Sequence, residues 1–280
     1  GKSLEEYGFV AIENHGVPQK VLINSYQQVK ELFDLTTSQK MRYEQPQGGR
    51  QRGYTSPGLE KAKGQTRPDL KEFWHVGPEL SLDHPRYEEV LRNVWPDELA
   101  LFKDEMLDLW RSLNECGHSI MAALARYLGG DETKFSRMID GGDTILRCIK
   151  YPGSKEGTYE PGRMWAAAHE DINLLTLLPS SIEPGLELQR RDGTWMAIEP
   201  VEGQLIVDTG DMFERLTNGR FPAMTHRVVA PQNEHNARYS MPFFIHPHPQ
   251  HVLTPLHSCV SEEFPRKWEN VTAQDFLRER

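Results

Sequence analysis

Cysteine is scarce in this sequence: Cys116, Cys148 and Cys259 are the three in 280 residues. So few, so far apart, exclude a disulfide framework or a zinc ribbon and point to a reducing cytoplasm. Long apolar runs are missing as well. No stretch approaches the roughly 18 apolar residues of a membrane span, and no basic-then-apolar leader opens the chain, so a soluble intracellular protein is expected. An excess of basic charge is also lacking, because 32 Lys and Arg face 41 Asp and Glu, a formal charge of −9. Nucleic acid and anionic membrane surfaces need a basic footprint and are therefore not expected partners. Glycine and proline show no period, which excludes a collagen-like chain. What is present is an apolar content of 38%, enough to exclude disorder and to build a core.

The hydrophobic period changes along the chain. Gly8–Ile12 has the composition of a strand already under way, as if a further element should precede it. From Val21 to Leu35, apolar residues at Leu22, Tyr26, Val29, Leu32 and Phe33 form a helical stripe. Residues 44–72 lose the pattern and predict a long loop around Arg52-Gly53-Tyr54; loops of that length in compact domains are often functional. A second helix is expected from Pro96-Asp97 to Leu128, with Leu99, Phe102, Met106, Leu109, Leu113, Cys116 and Ile120 on one face. After about residue 143, short segments rich in branched and aromatic residues alternate with turn signals such as Asp192-Gly193, Glu202-Gly203 and Asn218-Gly219. Helices followed by a β sandwich or barrel predict an α+β layout.

Among the 11 histidines, His169 is informative because Asp171 follows two positions later. In an extended strand both would face one side while Glu170 faces the other. His226, in a second strand-like segment, could complete a set of two imidazoles and one carboxylate. Such a set leaves three coordination positions open, as in non-heme Fe(II) oxygenases. Taken alone, the histidines could equally be unrelated, one capping a turn and one satisfied in the core. Further on, Arg238 and Ser240 would share a strand face and could grip one carboxylate, since the guanidinium fork matches that geometry. An isolated surface ion pair is the alternative for Arg238. Tyr151 could add a phenol to the same carboxylate or be a core aromatic.

The stretch Gln204–Phe221, leading into Thr225-His226-Arg227-Val228, closely resembles the core of the isopenicillin N synthase-like 2-oxoglutarate/Fe(II)-dependent dioxygenases. Tyr7-Gly8-Phe9-Val10, Asn14-His15-Gly16-Val17-Pro18, Arg52-Gly53-Tyr54 and Pro68-Asp69-Leu70-Lys71-Glu72 resemble other segments of that family. The likeness covers nearly the whole chain, apart from the family's usual first strand and part of its first helix. It implies a double-stranded β-helix (jelly-roll) core with flanking N-terminal helices. Residues 1–142 would form the helical and substrate-loop region, 143–250 the Fe(II)/2-oxoglutarate core and 251–280 a tail, in one structural unit. It further implies Fe(II) on His169, Asp171 and His226, and 2-oxoglutarate on Arg238 and Ser240 assisted by Tyr151. With O₂, this would be a dioxygenase oxidising a small molecule and releasing succinate and CO₂. A family oxidase that does not use 2-oxoglutarate, or a metal-bearing jelly-roll protein without turnover, are the alternatives.

Two positions depart from the family pattern. Ile149 stands where an Asn often precedes the Tyr, and Glu170 stands where many relatives have Thr. Arg163, Trp165 and Phe243, with Met164, are candidates for the substrate pocket. His246, His248 and His251 resemble a metal cluster, but Pro247 and Pro249 make a post-strand turn the expected reading. Asp208 and Asp211 could be read as a carboxylate pair and Asn14-His15-Gly16 as catalytic, but the resemblance implies a strand end and a turn for the two aspartates and a structural opening turn for Asn14-His15-Gly16.

Overall fold

A computed structural model describes residues 1–60, 69–155, 164–181, 183–231 and 235–279. Two antiparallel sheets form the core. The larger runs β1 (Phe9–Ile12), β9 (Leu205–Thr209), β6 (Leu175–Pro179), β12 (Phe243–Ile245), β4 (Ile145–Tyr151), β3 (Glu72–Val76) and β2 (Gly53–Thr55). Strand β11 (Arg238–Ser240) also pairs with β4, beyond the end of β12. The smaller sheet runs β5 (Met164–His169), β10 (His226–Val229), β7 (Leu186–Gln189) and β8 (Trp195–Ala197). A short hairpin, β13 (Val252–Leu253) with β14 (Val271–Thr272), lies near the C-terminal end.

Seven α-helices flank these strands among the described residues: α1 (Lys2–Tyr7), α2 (Gln19–Asp34), α3 (Thr37–Met41), α4 (Phe102–Tyr127), α5 (Glu132–Met138), α6 (Asp211–Leu216) and α7 (Ala273–Arg278). The face of α4 carrying Met106, Leu109 and Leu113 is fully buried. Strand β4 shows how the layers divide. Leu146 and Cys148 pack with the helices, whereas Ile149 and Tyr151 join a second cluster between the sheets. That second cluster takes Phe73 and Ile206 from the larger sheet and Trp165, Leu186 and Val228 from the smaller. Period-two alternation thus sends one face of β4 to the helical core and the other to the jelly-roll interior.

Several boundaries differ from the sequence expectation. The segment 44–72 is not one loop, since Gly53–Thr55 forms β2 and Glu72 opens β3. Three residues are too short for hydrophobic alternation to mark a strand. The long helix starts at Phe102 rather than Pro96, and Tyr239–Ile245 splits into β11 and β12 around Met241-Pro242. Proline has no amide hydrogen for a ladder. Asp208 is the penultimate residue of β9, in keeping with a strand end, and Asp211 opens α6 instead of a turn.

Candidate metal centre and substrate cleft

Strands β5 and β10 are antiparallel partners with His169 opposite His226, so the two imidazoles leave the sheet side by side, ring centroids 4.4 Å apart. Asp171 is not part of the strand. β5 ends at His169, and Asp171 reaches the site from the turn beyond, which corrects the expectation of strand alternation. That turn is held from below by Asp211, whose amide donates to the Asp171 carbonyl at 2.8 Å. Gly210 has no space for a side chain there, since a Cβ would lie 2.4 Å from the Asn173 carbonyl and 2.7 Å from that of Asp171. Glu170 points elsewhere, accepting from the Thr225 hydroxyl at 2.9 Å.

The ligand atoms of His169, Asp171 and His226 lie within 4.8 Å of one another, and among the described residues no other such group of three forms. Asp171 Oδ1 is 3.8 Å from His169 Nε2 and 4.0 Å from His226 Nε2. Each imidazole has its other nitrogen engaged: His169 Nδ1 with the Ala167 carbonyl at 2.7 Å and His226 Nδ1 with the Met224 carbonyl at 3.1 Å. A carbonyl can only accept, so in the neutral ring Nδ1 carries the proton and Nε2 keeps its lone pair for a metal. Burial, then His226, push the His169 imidazole down toward its neutral form. At His226 burial acts the same way, but Asp171 and Asp208 outweigh it and raise that imidazole. Burial would raise the Asp171 carboxyl, but the adjacent His226 and His169 outweigh it and hold Asp171 below the usual carboxylate range. Neutral imidazole and ionised carboxylate are the forms that ligate Fe(II).

Thr176 donates to Asp171 Oδ2 and accepts from Asn173 Nδ2 at 2.8 Å. This fixes the carboxylate that the turn delivers. Thr176→Val keeps the shape but removes the donor, and it should lower iron affinity by about 10–100-fold. Anaerobic Fe(II) titration of the folded variant checks this.

The second group lies on the facing sheet. Arg238 pairs with Tyr151 and Ser240 with Ile149 across β11 and β4, and directly opposed residues share a face. Arg238 and Ser240 are each 3% exposed. The guanidinium lies 5.3 Å over the Tyr151 ring, and Nε donates to the Glu183 carbonyl at 3.3 Å. Its Nη1, however, is buried with no hydrogen-bond acceptor among the described residues. A buried cationic donor left unpaired is costly, and a carboxylate in the interior would satisfy it. Ile149, in place of the amide, belongs to the apolar cluster with Phe73, Ile206 and Val228.

The remaining candidates separate. Trp165 stacks on Tyr151 at 5.4 Å and is sealed in the interior, away from the open cleft. Phe243 faces the helical layer, meeting Trp110 edge-on at 5.4 Å, which corrects its assignment to the pocket; the next residue, Phe244, lines the cleft instead. Counting every second residue from Arg238 would have selected Phe244. Met164 begins β5, and Arg163 lies outside the described residues. Of the three C-terminal histidines, His246 and His248 line the cleft, but they belong to no ligand cluster among the described residues. His15 accepts from the Val17 amide at 3.2 Å within its turn, a structural role.

Sequence reasoning missed a polar wall. A cavity of about 1170 Å³ opens at His169 and Asp171 and is lined by Arg52, Glu60, Asp69, Lys71, His75 and Arg147. Lys71 lies 2.9 Å from both Glu60 and Asp69. Arg147 reaches Glu60 at 3.2 Å, donates Nε to His75 Nε2 at 2.6 Å, and has its guanidinium 4.5 Å from the Phe73 ring centre and 5.2 Å from that of Phe244. Burial and then the Arg147 charge keep His75 well below the usual imidazole range, so it accepts from Arg147 and donates Nδ1–H to the Arg50 carbonyl at 3.0 Å. Arg147 was within reach of the sequence, two and four residues before Ile149 and Tyr151 on one strand face. Glu60, on a loop, gave no signal.

Comparison with known proteins matches these features. Residues 1–98 match the family described as non-haem dioxygenase in morphine synthesis N-terminal, and residues 142–247 match the 2OG-Fe(II) oxygenase superfamily. A 2-oxoglutarate-Fe(II) type oxidoreductase of Aspergillus fumigatus is 30% identical, over 97% of this chain and 82% of that one. A solved 2OG-Fe(II) oxygenase family protein from Caulobacter crescentus is 38% identical over 100% of this chain and 90% of its own, with a TM-score of 0.89. A full-length Neurospora crassa protein, solved in complex with alpha-KG and thymine, is 27% identical over 99% and 87%, with a TM-score of 0.85. With jelly-roll sheets, a His-Asp-His cluster and relatives that are 2-oxoglutarate oxidoreductases, the chain belongs to the 2OG-Fe(II) oxygenase superfamily and is an oxidoreductase using Fe(II), 2-oxoglutarate and O₂.

Proposed function

We propose that His169, Asp171 and His226 hold the iron, that Arg238 with Ser240 and Tyr151 receives the distal carboxylate of 2-oxoglutarate, and that the cleft admits a small polar molecule for oxidation. The observation that carries the cosubstrate assignment is the buried, acceptor-less Nη1 of Arg238. When bound, iron with 2-oxoglutarate and O₂ supplies the oxidising power, and the cosubstrate leaves as succinate and CO₂.

The protein's own residues orient and insulate. The Ala167 and Met224 carbonyls hold the two imidazoles in one tautomer, and Thr176 fixes the Asp171 carboxylate. Arg238 aligns the cosubstrate along the interior, and the Ile149 cluster keeps that interior dry. The mutually paired Glu60, Lys71, Arg147 and His75 form a polar wall beside the metal centre, suited to a substrate with hydrogen-bonding groups. Thymine, bound by the Neurospora crassa protein, is a small polar molecule of that kind. No helix is long and apolar enough to cross a membrane among the described residues.

Purified protein supplied with Fe(II) and air should form succinate from 2-oxoglutarate, faster when an accepted substrate is added. Oxygen consumption that continues unchanged without 2-oxoglutarate would contradict this and favour the oxidase alternative.

A further inference from the structure

The cleft wall holds four cationic side chains, Arg52, Lys71, Arg86 and Arg147. Three are neutralised locally. Lys71 pairs with Glu60 and Asp69, Arg147 with Glu60, and Arg86 with Asp143 and Glu89. Arg52 differs. It is 5% exposed, yet among the described residues its guanidinium donates only to main-chain carbonyls, Nε to Leu91 at 3.1 Å and Nη1 to Gln51 at 2.6 Å. Its Nη2 edge makes no hydrogen bond to the described residues and is not sealed in the protein. Burial lowers its basicity to about 10, and Asp143 acts on it only as a more distant charge. A guanidinium buried this far is expected to have an anionic partner.

The position of that edge depends on Gly77. A Cβ there would lie 2.0 Å from Nη2 and 2.1 Å from the guanidinium carbon. The absence of a side chain at 77 therefore lets the guanidinium lie against the backbone at the cleft wall.

We infer that Arg52 anchors an oxyanion of the substrate, a carboxylate or a phosphate, at the cleft wall. The inference rests on the functional reading above and adds a substrate class to it. The carbonyls of Leu91 and Gln51 fix the plane of the guanidinium, leaving Nη2 to donate to the anion. The paired Lys71 and Arg147 then meet neutral polar groups of the same molecule. Substrates of this enzyme accordingly carry an acidic group away from the carbon that is oxidised.

The test uses the Fe(II) protein saturated with 2-oxoglutarate under anaerobic conditions, with methyl phosphate and, separately, acetate as probes at constant ionic strength. A ligand that binds only the folded state raises the unfolding midpoint saturably. The wild type should show such a rise, stronger with methyl phosphate if the substrate is phosphorylated and with acetate if it is a carboxylic acid. Arg52→Gln should weaken the apparent affinity about tenfold or more. Gly77→Ala keeps the charge but displaces the guanidinium and should do the same. No saturable rise in the wild type, or an equal rise in Arg52→Gln, overturns the assignment. Should neither variant fold, a wild-type crystal soaked in selenate decides: an anomalous peak at Arg52 supports it and an empty site there overturns it. None of these readouts needs turnover, so they fail separately from succinate formation.

Discussion

His226→Ala should yield a folded protein that no longer holds iron. His226 opens β10, and the strand's pairing with β5 and β7 runs through main-chain groups that alanine retains. Groups that merely orient a metal ligand are each worth about 10–100-fold in affinity, so removing the ligand itself should cost at least about a hundredfold. The expected result is an unchanged circular dichroism spectrum with little iron retained after gel filtration, and no succinate. His246 and His248 line the same cleft, and their alanine variants should retain iron normally. Loss of iron in either, with retention in His226→Ala, would mean that the ligand set is wrong.

Arg238→Lys should weaken 2-oxoglutarate binding sharply while leaving iron affinity nearly unchanged. Lysine preserves the charge but not the planar fork, and it cannot keep one nitrogen on the Glu183 carbonyl while presenting another to a carboxylate. Disrupting a buried, hydrogen-bonded charge pair costs on the order of 2–5 kcal/mol, about 30- to several-thousand-fold in affinity. Ser240→Ala should cost less, about 1–3 kcal/mol, because one charge-assisted hydrogen bond is lost. Competition between 2-oxoglutarate and a bound analogue in the anaerobic Fe(II) protein measures both. An unchanged affinity in Arg238→Lys would mean that the clamp serves the substrate, as the oxidase alternative requires.

The His-Asp-His cluster that the family resemblance implies is present in the structure, whereas the elements that carry it were less legible. Metal chemistry restricts ligands to a few residue types, but among 11 histidines it was the family resemblance that singled out His169, Asp171 and His226. For Arg238 and Ser240, two-residue spacing gave a shared strand face, and the resemblance gave the carboxylate role. The route that brings Asp171 to the metal did not stand out. A turn after β5 does this, and a turn leaves no hydrophobic period to read. Phe243 was misassigned because the inner and outer faces of a strand are both apolar when both are buried; the register from Arg238 distinguishes them, and composition cannot. Apart from Arg147, the polar wall was illegible for a different reason. Arg147 lies on β4, far in sequence from Glu60 and Lys71, which precede β3, and charged residues outside strands and helices are ordinarily solvated. Only the tertiary fold shows that Lys71 is 7% exposed and doubly paired.

The central claim is that one iron, held by this His-Asp-His cluster, shares its open positions with 2-oxoglutarate anchored at Arg238. Anaerobic titration of 2-oxoglutarate into the Fe(II)-loaded wild type, followed by visible absorption, tests it most directly. The account predicts a metal-to-ligand charge-transfer band that saturates at one equivalent per iron and does not form in His226→Ala. A wild type that binds iron yet develops no band at saturating 2-oxoglutarate would contradict it.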